Sequence, residues 1–180
     1  MTSSAAVDGV LTGAPAAESN RFDRILQTNG PSLARLAASY TDNIGDRDDL
    51  LQEIAMALWQ ALPRFREECS ERTFVFRIAH NRAIAHLARK RPAMPVQVDS
   101  IDVPDPGPDP EQELVREQLG QRLTQAVRRL PVSLRQVVTL ALEGIDYTET
   151  AAILGISENN VGVRMSRARE LLRKLLKERA

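Results

Sequence analysis

The chain is poor in the residues that most chemistry requires. Its 180 residues include one cysteine, Cys69, and two histidines, His80 and His86. A single cysteine excludes an intramolecular disulfide and fits a reducing compartment, so a cytoplasmic location is expected. The histidines stand six residues apart with the cysteine remote, which argues against a metal site. There is no phosphate-binding glycine loop, no His-Glu-x-x-His and no coherent nucleophile set, so neither enzyme activity nor a cofactor is expected. Aromatic residues make up only 4% of the chain. The lone Trp59, in an apolar helix with four phenylalanines to help build cores, is therefore expected to pack. No apolar run reaches the roughly eighteen residues of a membrane span. Residues 1–20 are small and polar, without the basic start and apolar stretch of a secretory signal. Net charge is also missing, because 24 basic residues balance 24 acidic ones. That balance hides a segregation by region.

What is present is helical. Residues 1–20, without periodicity, are expected as a disordered tail. From Arg21 to residue 92 the apolar spacing is that of helices. Leu50, Leu51, Ile54, Leu58 and Leu62 recur on one helix, which Asp46 to Asp49 are expected to cap and Pro63 to close. Another helix runs from about Glu71 to Lys90. The segment 93–112 then changes character. Six of the ten prolines lie between Pro92 and Pro110, and Ala93 to Glu113 holds six acids and no Lys or Arg, a local charge of −6. Proline fixes φ and removes backbone donors, so an extended linker is predicted. Residues 113–180 are helical again, interrupted at Pro131. The fold class is all-α: two small helical domains joined by an acidic tether.

The last forty residues carry the most specific motif. Asp146 and Glu149 have capping-box spacing, Ala151, Ala152 and Leu154 are expected to pack, and Gly155 suits a left-handed helix end. Ser157 is placed to cap a second helix whose Val161, Met165, Ala168 and Leu172 form its buried stripe. This is the signature of a helix-turn-helix, whose second helix can lie in a DNA major groove. Glu158, Asn159, Asn160, Val163, Arg164 and Arg167 are left outward near its start. Asn and Arg make bidentate bonds to base edges, and Arg neutralises phosphate. Seven basic residues against Glu170 and Glu178 give Arg164 to Arg179 a local charge of +5. Gly162 weakens the helix by about 1 kcal/mol relative to alanine.

The first unit ends in a second basic cluster, Arg82, Arg89, Lys90 and Arg91, with Asn81 able to meet a base edge. Phe74 and Phe76, two apart, cannot share one core face. Packing is the expectation for Phe74, and an exposed ring would be a stacking platform for a single strand. The preceding helix turns Asp48, Asp49, Gln52, Glu53 and Gln60 outward, an acidic face unsuited to DNA.

Together these motifs resemble a group-4, extracytoplasmic-function sigma factor of the sigma-70 family, across roughly residues 21–178. Asp48-Asp-Leu-Leu-Gln-Glu-Ile, then Ala57-Leu-Trp-Gln-Ala-Leu-Pro-Arg-Phe65, is similar to that family's polymerase-binding helix. Phe74 to Arg91 is similar to its promoter-melting and −10 segment, and Leu130-Pro with the helix-turn-helix to its −35 domain. The resemblance implies that Asp49, Gln52 and Glu53 contact the clamp helices of the largest subunit of core RNA polymerase. It implies that Asn81 holds an unstacked −10 base while Arg82, Arg89, Lys90 and Arg91 hold strand phosphates. Glu158, Asn159, Asn160, Arg164 and Arg167 would face the −35 groove, the polymerase flap would be a further contact, and an anti-sigma factor a regulator. It gives the acidic linker a nucleic-acid path towards the active-site cleft. Glu71, Ala85 and Gly162 depart from the family pattern in ways that bear on which promoter is read. With no large extra domain after residue 180, the minimal two-domain form is expected. The alternatives are a stand-alone helix-turn-helix regulator, which leaves the acidic face unused, and a helical adaptor, which leaves both basic clusters unused.

Overall fold

In a computed structural model of the chain, residues 14–90 and 110–177 are described, with side chains from 18–90 and 118–177. The described residues form seven α-helices and no strand: α1 (Ala14–Tyr40), α2 (Ile44–Ala61), α3 (Glu71–Lys90), α4 (Pro110–Arg128), α5 (Val132–Leu142), α6 (Tyr147–Leu154) and α7 (Glu158–Lys177). A 3₁₀ turn at Leu62–Arg64 follows α2, as Pro63 requires. The acidic linker up to residue 109 and Arg91 lie outside the described residues.

Three boundaries differ from expectation. Helix α1 begins at Ala14, inside the segment read as a tail, because Ala-rich sequence has high helix propensity and Pro15 is tolerated in a first turn. Helix α4 begins at Pro110, taking the last three residues assigned to the linker. The cap of α2 is Asn43, not the Asp46–Asp49 run. Its side chain accepts the Asp46 N–H at 2.8 Å, and its own amide donates back to the Asp46 carboxylate at 3.0 Å. The acids instead occupy the first turns, where the helix dipole favours them.

Helices α1, α2 and α3 enclose one core, built on Ile25, Leu36, Leu50, Ile54, Leu58, Val75 and Phe76. Helices α4, α5 and α7 enclose another, with Val127, Leu130, Val137, Val161 and Met165. The two are not separate bodies. Leu140, Ile145 and Ile153, from α5, the turn after it and α6, are buried in the first core. Burying a side chain of this kind stabilises by about 1.5–3 kcal/mol.

Polar groups line the same seam. Arg35 of α1 donates through Nε and Nη2 to both carboxylate oxygens of Glu143, at 2.8 and 2.7 Å. Arg72 donates to the Glu143 carbonyl, and Arg77 to the Ala152 carbonyl at 3.0 Å. Arg128 reaches back to the Ala38 carbonyl at 2.7 Å and Arg135 to that of Ser39 at 3.3 Å. Tyr40 lies under Arg135 and stands edge-on to His80, their rings 5.9 Å apart. Burial pushes the His80 imidazole down to about 3, so it is neutral in the core.

Candidate nucleic-acid interface

The helix-turn-helix is built by local chemistry. Asp146 accepts the Glu149 N–H at 2.7 Å and starts α6. Gly155 ends it in the left-handed region, at φ 66°, which a side chain would disfavour. Ser157 Oγ then accepts the Asn160 N–H at 3.3 Å and starts α7. The packing of α6 differs in detail from expectation. Thr150 and Ile153 are buried, Ala151 and Leu154 pack at the margin, and Ala152 is exposed, with its carbonyl accepting from Arg77 of α3.

Helix α7 buries Val161, Met165 and Ala168, with Leu172 half-buried. The opposite face presents Asn159, Asn160, Val163, Ser166 and Arg167, and Glu158 is exposed at the first turn. Arg164 is half-buried at the edge of this face and not at its middle. Counting about 100° per residue from Val161 puts Val163 nearly opposite the buried stripe. Val163 is not among the −35 contacts that the family resemblance implies.

In the first unit, Asn81 and Arg82 are exposed on α3. Asp49 and Gln52 are exposed on α2, along the stripe that continues to Met56 and Trp59. Trp59 is 45% exposed, more open than the packing expected of it, and meets Phe22 in a T-shaped contact with ring centroids 5.1 Å apart. Phe76 is fully buried, while Phe74 stacks on Phe65 at 4.3 Å.

Glu53 and the end of α3 meet, although the sequence reading assigned them to different partners. The Glu53 carboxylate accepts hydrogen bonds from Arg89 and from Nδ1 of buried His86, the latter at 3.2 Å. Burial would raise this carboxyl, but the bonds from Arg89 and His86 prevail and hold it below the ordinary carboxylate range. Lys90 pairs with Asp46. Asp49, Gln52, Glu53, His86, Arg89 and Lys90 therefore line one open hollow. Sequence spacing could not reveal this, since α2 and α3 run side by side only in the fold. Among the described residues no cluster of His, Cys, Asp and Glu fits a metal ion.

Comparison with known proteins gives this arrangement its context. Residues 25–92, spanning most of α1 through α3, match the family model for sigma-70 region 2. Residues 120–172, from the second half of α4 through most of α7, match sigma-70 region 4. The RNA polymerase sigma factor NccH of Alcaligenes xylosoxydans xylosoxydans is 30% identical over 161 residues, 86% of each chain. The ECF RNA polymerase sigma-E factor of Escherichia coli K12 is 31% identical over 150 residues, 78% of each chain. The chain belongs to the extracytoplasmic-function sigma factors. Among solved structures, this sigma factor is similar to CnrH in complex with the cytosolic domain of CnrY. That match has TM-score 0.68 and 27% identity, over 93% of this chain and 96% of CnrH. It also shares the fold of RpoE of Bartonella quintana in complex with the anti-sigma factor NepR. Here the TM-score is 0.69 and the identity 22%, over 87% of this chain and 97% of RpoE. As a member of the family it is a promoter-directing initiation factor, and no helix among its described residues is long and apolar enough to cross a membrane.

Proposed function

We propose that this sigma factor binds core RNA polymerase through α2, docks α7 in the −35 major groove and captures melted −10 bases at Asn81. The observation that carries the reading is a pair of outward faces of opposite task on one chain. The face of α7 with Asn159, Asn160 and Arg167 is suited to base edges of a duplex. The face of α3 with Asn81 and Arg82 offers an amide and a cation side by side, suited to one unstacked base and its phosphate. Holding an extruded base offsets part of its unstacking cost. Asp49 and Gln52, with Met56 and Trp59 beside them, form the polymerase contact, in which an apolar centre is ringed by polar groups. Arg89 and Lys90 are tied to Glu53 and Asp46, so their role with phosphate follows release from those acids. An anti-sigma protein as regulator is supported by RpoE of B. quintana, a structural neighbour bound to one.

Run-off transcription with core polymerase, with and without the chain, tests the reading. Promoter-specific initiation only in its presence is expected. Duplex binding without any gain in initiation would assign the chain to stand-alone regulators instead. Asn81→Ala should lower open-complex formation and leave core binding intact; equal loss of both would make Asn81 structural.

A further inference from the structure

The middle of the outward face of α7 is apolar. Val163 is 41% exposed, two residues beyond fully buried Val161 and so about 200° around the helix from it. Exposed polar residues surround it: Asn159 one turn before, Arg167 one turn after, Ser166 to one side. The residue before it, Gly162, adds no bulk, and a Cβ there would meet nothing nearer than a Tyr147 ring carbon at 3.8 Å. The first two turns of α7 thus present a low ridge with a branched aliphatic group at its crest. The longer polar side chains of Asn159 and Arg167 stand before and after it.

Base edges in the major groove offer hydrogen-bond donors and acceptors, with a single apolar group among them, the C5-methyl of thymine. A valine at the centre of a reading face satisfies none of the polar edges. Set against a donor or acceptor, it would bury that group without a partner. Against a thymine methyl it gains apolar contact on both sides. We infer that Val163 is a specificity-determining residue of this sigma factor, reading the C5-methyl of one thymine in the −35 element. The inference rests on α7 entering the −35 groove, and it adds the base that this chain selects there. One methyl group buried corresponds to about a fourfold change in affinity.

The test uses holoenzyme assembled from the full chain and core polymerase. Duplexes randomised across the −35 segment are selected for binding, and each thymine of the selected sequence is replaced in turn by deoxyuridine, which lacks only the methyl. One replacement is expected to weaken binding about fourfold. Val163→Ala should weaken that thymine preference and Val163→Ile should keep it. Since Val163 is solvent-facing, both variants should fold, which circular dichroism checks. A thymine preference that persists unchanged in Val163→Ala overturns the inference, as does a selected −35 sequence with no methyl-sensitive thymine. If holoenzyme selects no −35 sequence at all, the proposed docking of α7 fails as well.

Discussion

Lowering the pH from 7 to 5 should cost the folded chain about 2 kcal/mol through one side chain, His80. Its imidazole is about 1% exposed, with Tyr40 on one flank and the Arg135 cation lying over that tyrosine. Burial depresses its folded value to about 3, whereas an unfolded histidine titrates near 6.5. Below about 6.5 the unfolded chain therefore takes up a proton that the folded chain refuses. Stability from this group is fully present above the unfolded value and is lost as the pH falls. Between pH 7 and 5 the loss depends only on the unfolded value, provided that the folded one lies well below 5. The Glu53 and Glu143 carboxyls, held below the ordinary carboxylate range, lose their contribution mainly below about pH 4.5 and hardly enter this window. Urea unfolding at both pH values should show the loss in the native protein. The same loss should be smaller in His80→Gln, which has no proton to gain. Because that variant removes a buried ring and is less stable at both pH values, the ring resonances of His80 in the native protein give a second reading. They should not move between pH 7 and 5. A His80 that titrates near 6.5 in the folded chain would refute the reasoning.

Gly155→Ala should destabilise the chain by about 1–2 kcal/mol, because φ 66° places its Cβ against the following carbonyl, and thermal unfolding would register it. Gly162→Ala should do the opposite and stabilise by about 0.5–1 kcal/mol. The new methyl meets Tyr147 at 3.8 Å, an ordinary contact, so a lowered melting temperature would show that this turn has no room. Glu143→Gln should cost about 1 kcal/mol, nearly independent of salt, since the carboxylate is only 5% exposed and doubly held by Arg35. The surface pair of Lys174 and Glu170 is the control, and Glu170→Gln should cost less than about 0.5 kcal/mol by urea unfolding.

What was legible in the sequence was what local chemistry determines. Asp146, Gly155 and Ser157 begin and end helices within a few residues of themselves, so their roles needed no partner from elsewhere. The buried stripe of α7 followed from its period alone. The cap of α2 was less legible, because three aspartates near its start, Asp46, Asp48 and Asp49, competed with Asn43 for the role. Trp59 was misjudged for a different reason: periodicity says that a residue is on a helix, not whether another helix covers it. The pairing of Glu53 with Arg89 and His86 joins residues over thirty positions apart. The seam was least legible of all. Arg72, Arg77, Arg128 and Arg135 bond there to main-chain carbonyls, which every residue possesses and no residue type announces.

That seam changes how the chain should be divided. The two family matches suggest two pieces that a gene could supply separately, yet Leu140, Ile145 and Ile153 belong to the hydrophobic interior of the first. A protein cut between the pieces would leave the first with an open apolar wound beside Tyr40 and Phe76. It would leave the second with three bare aliphatic side chains, and Arg128 and Arg135 would each lose a main-chain acceptor. Such halves should clump on their own and regain solubility when mixed. Calorimetry on the whole chain should register a single heat-absorption peak, because melting either half exposes the interior of the other. What inheritance treats as two modules, solvent treats as one.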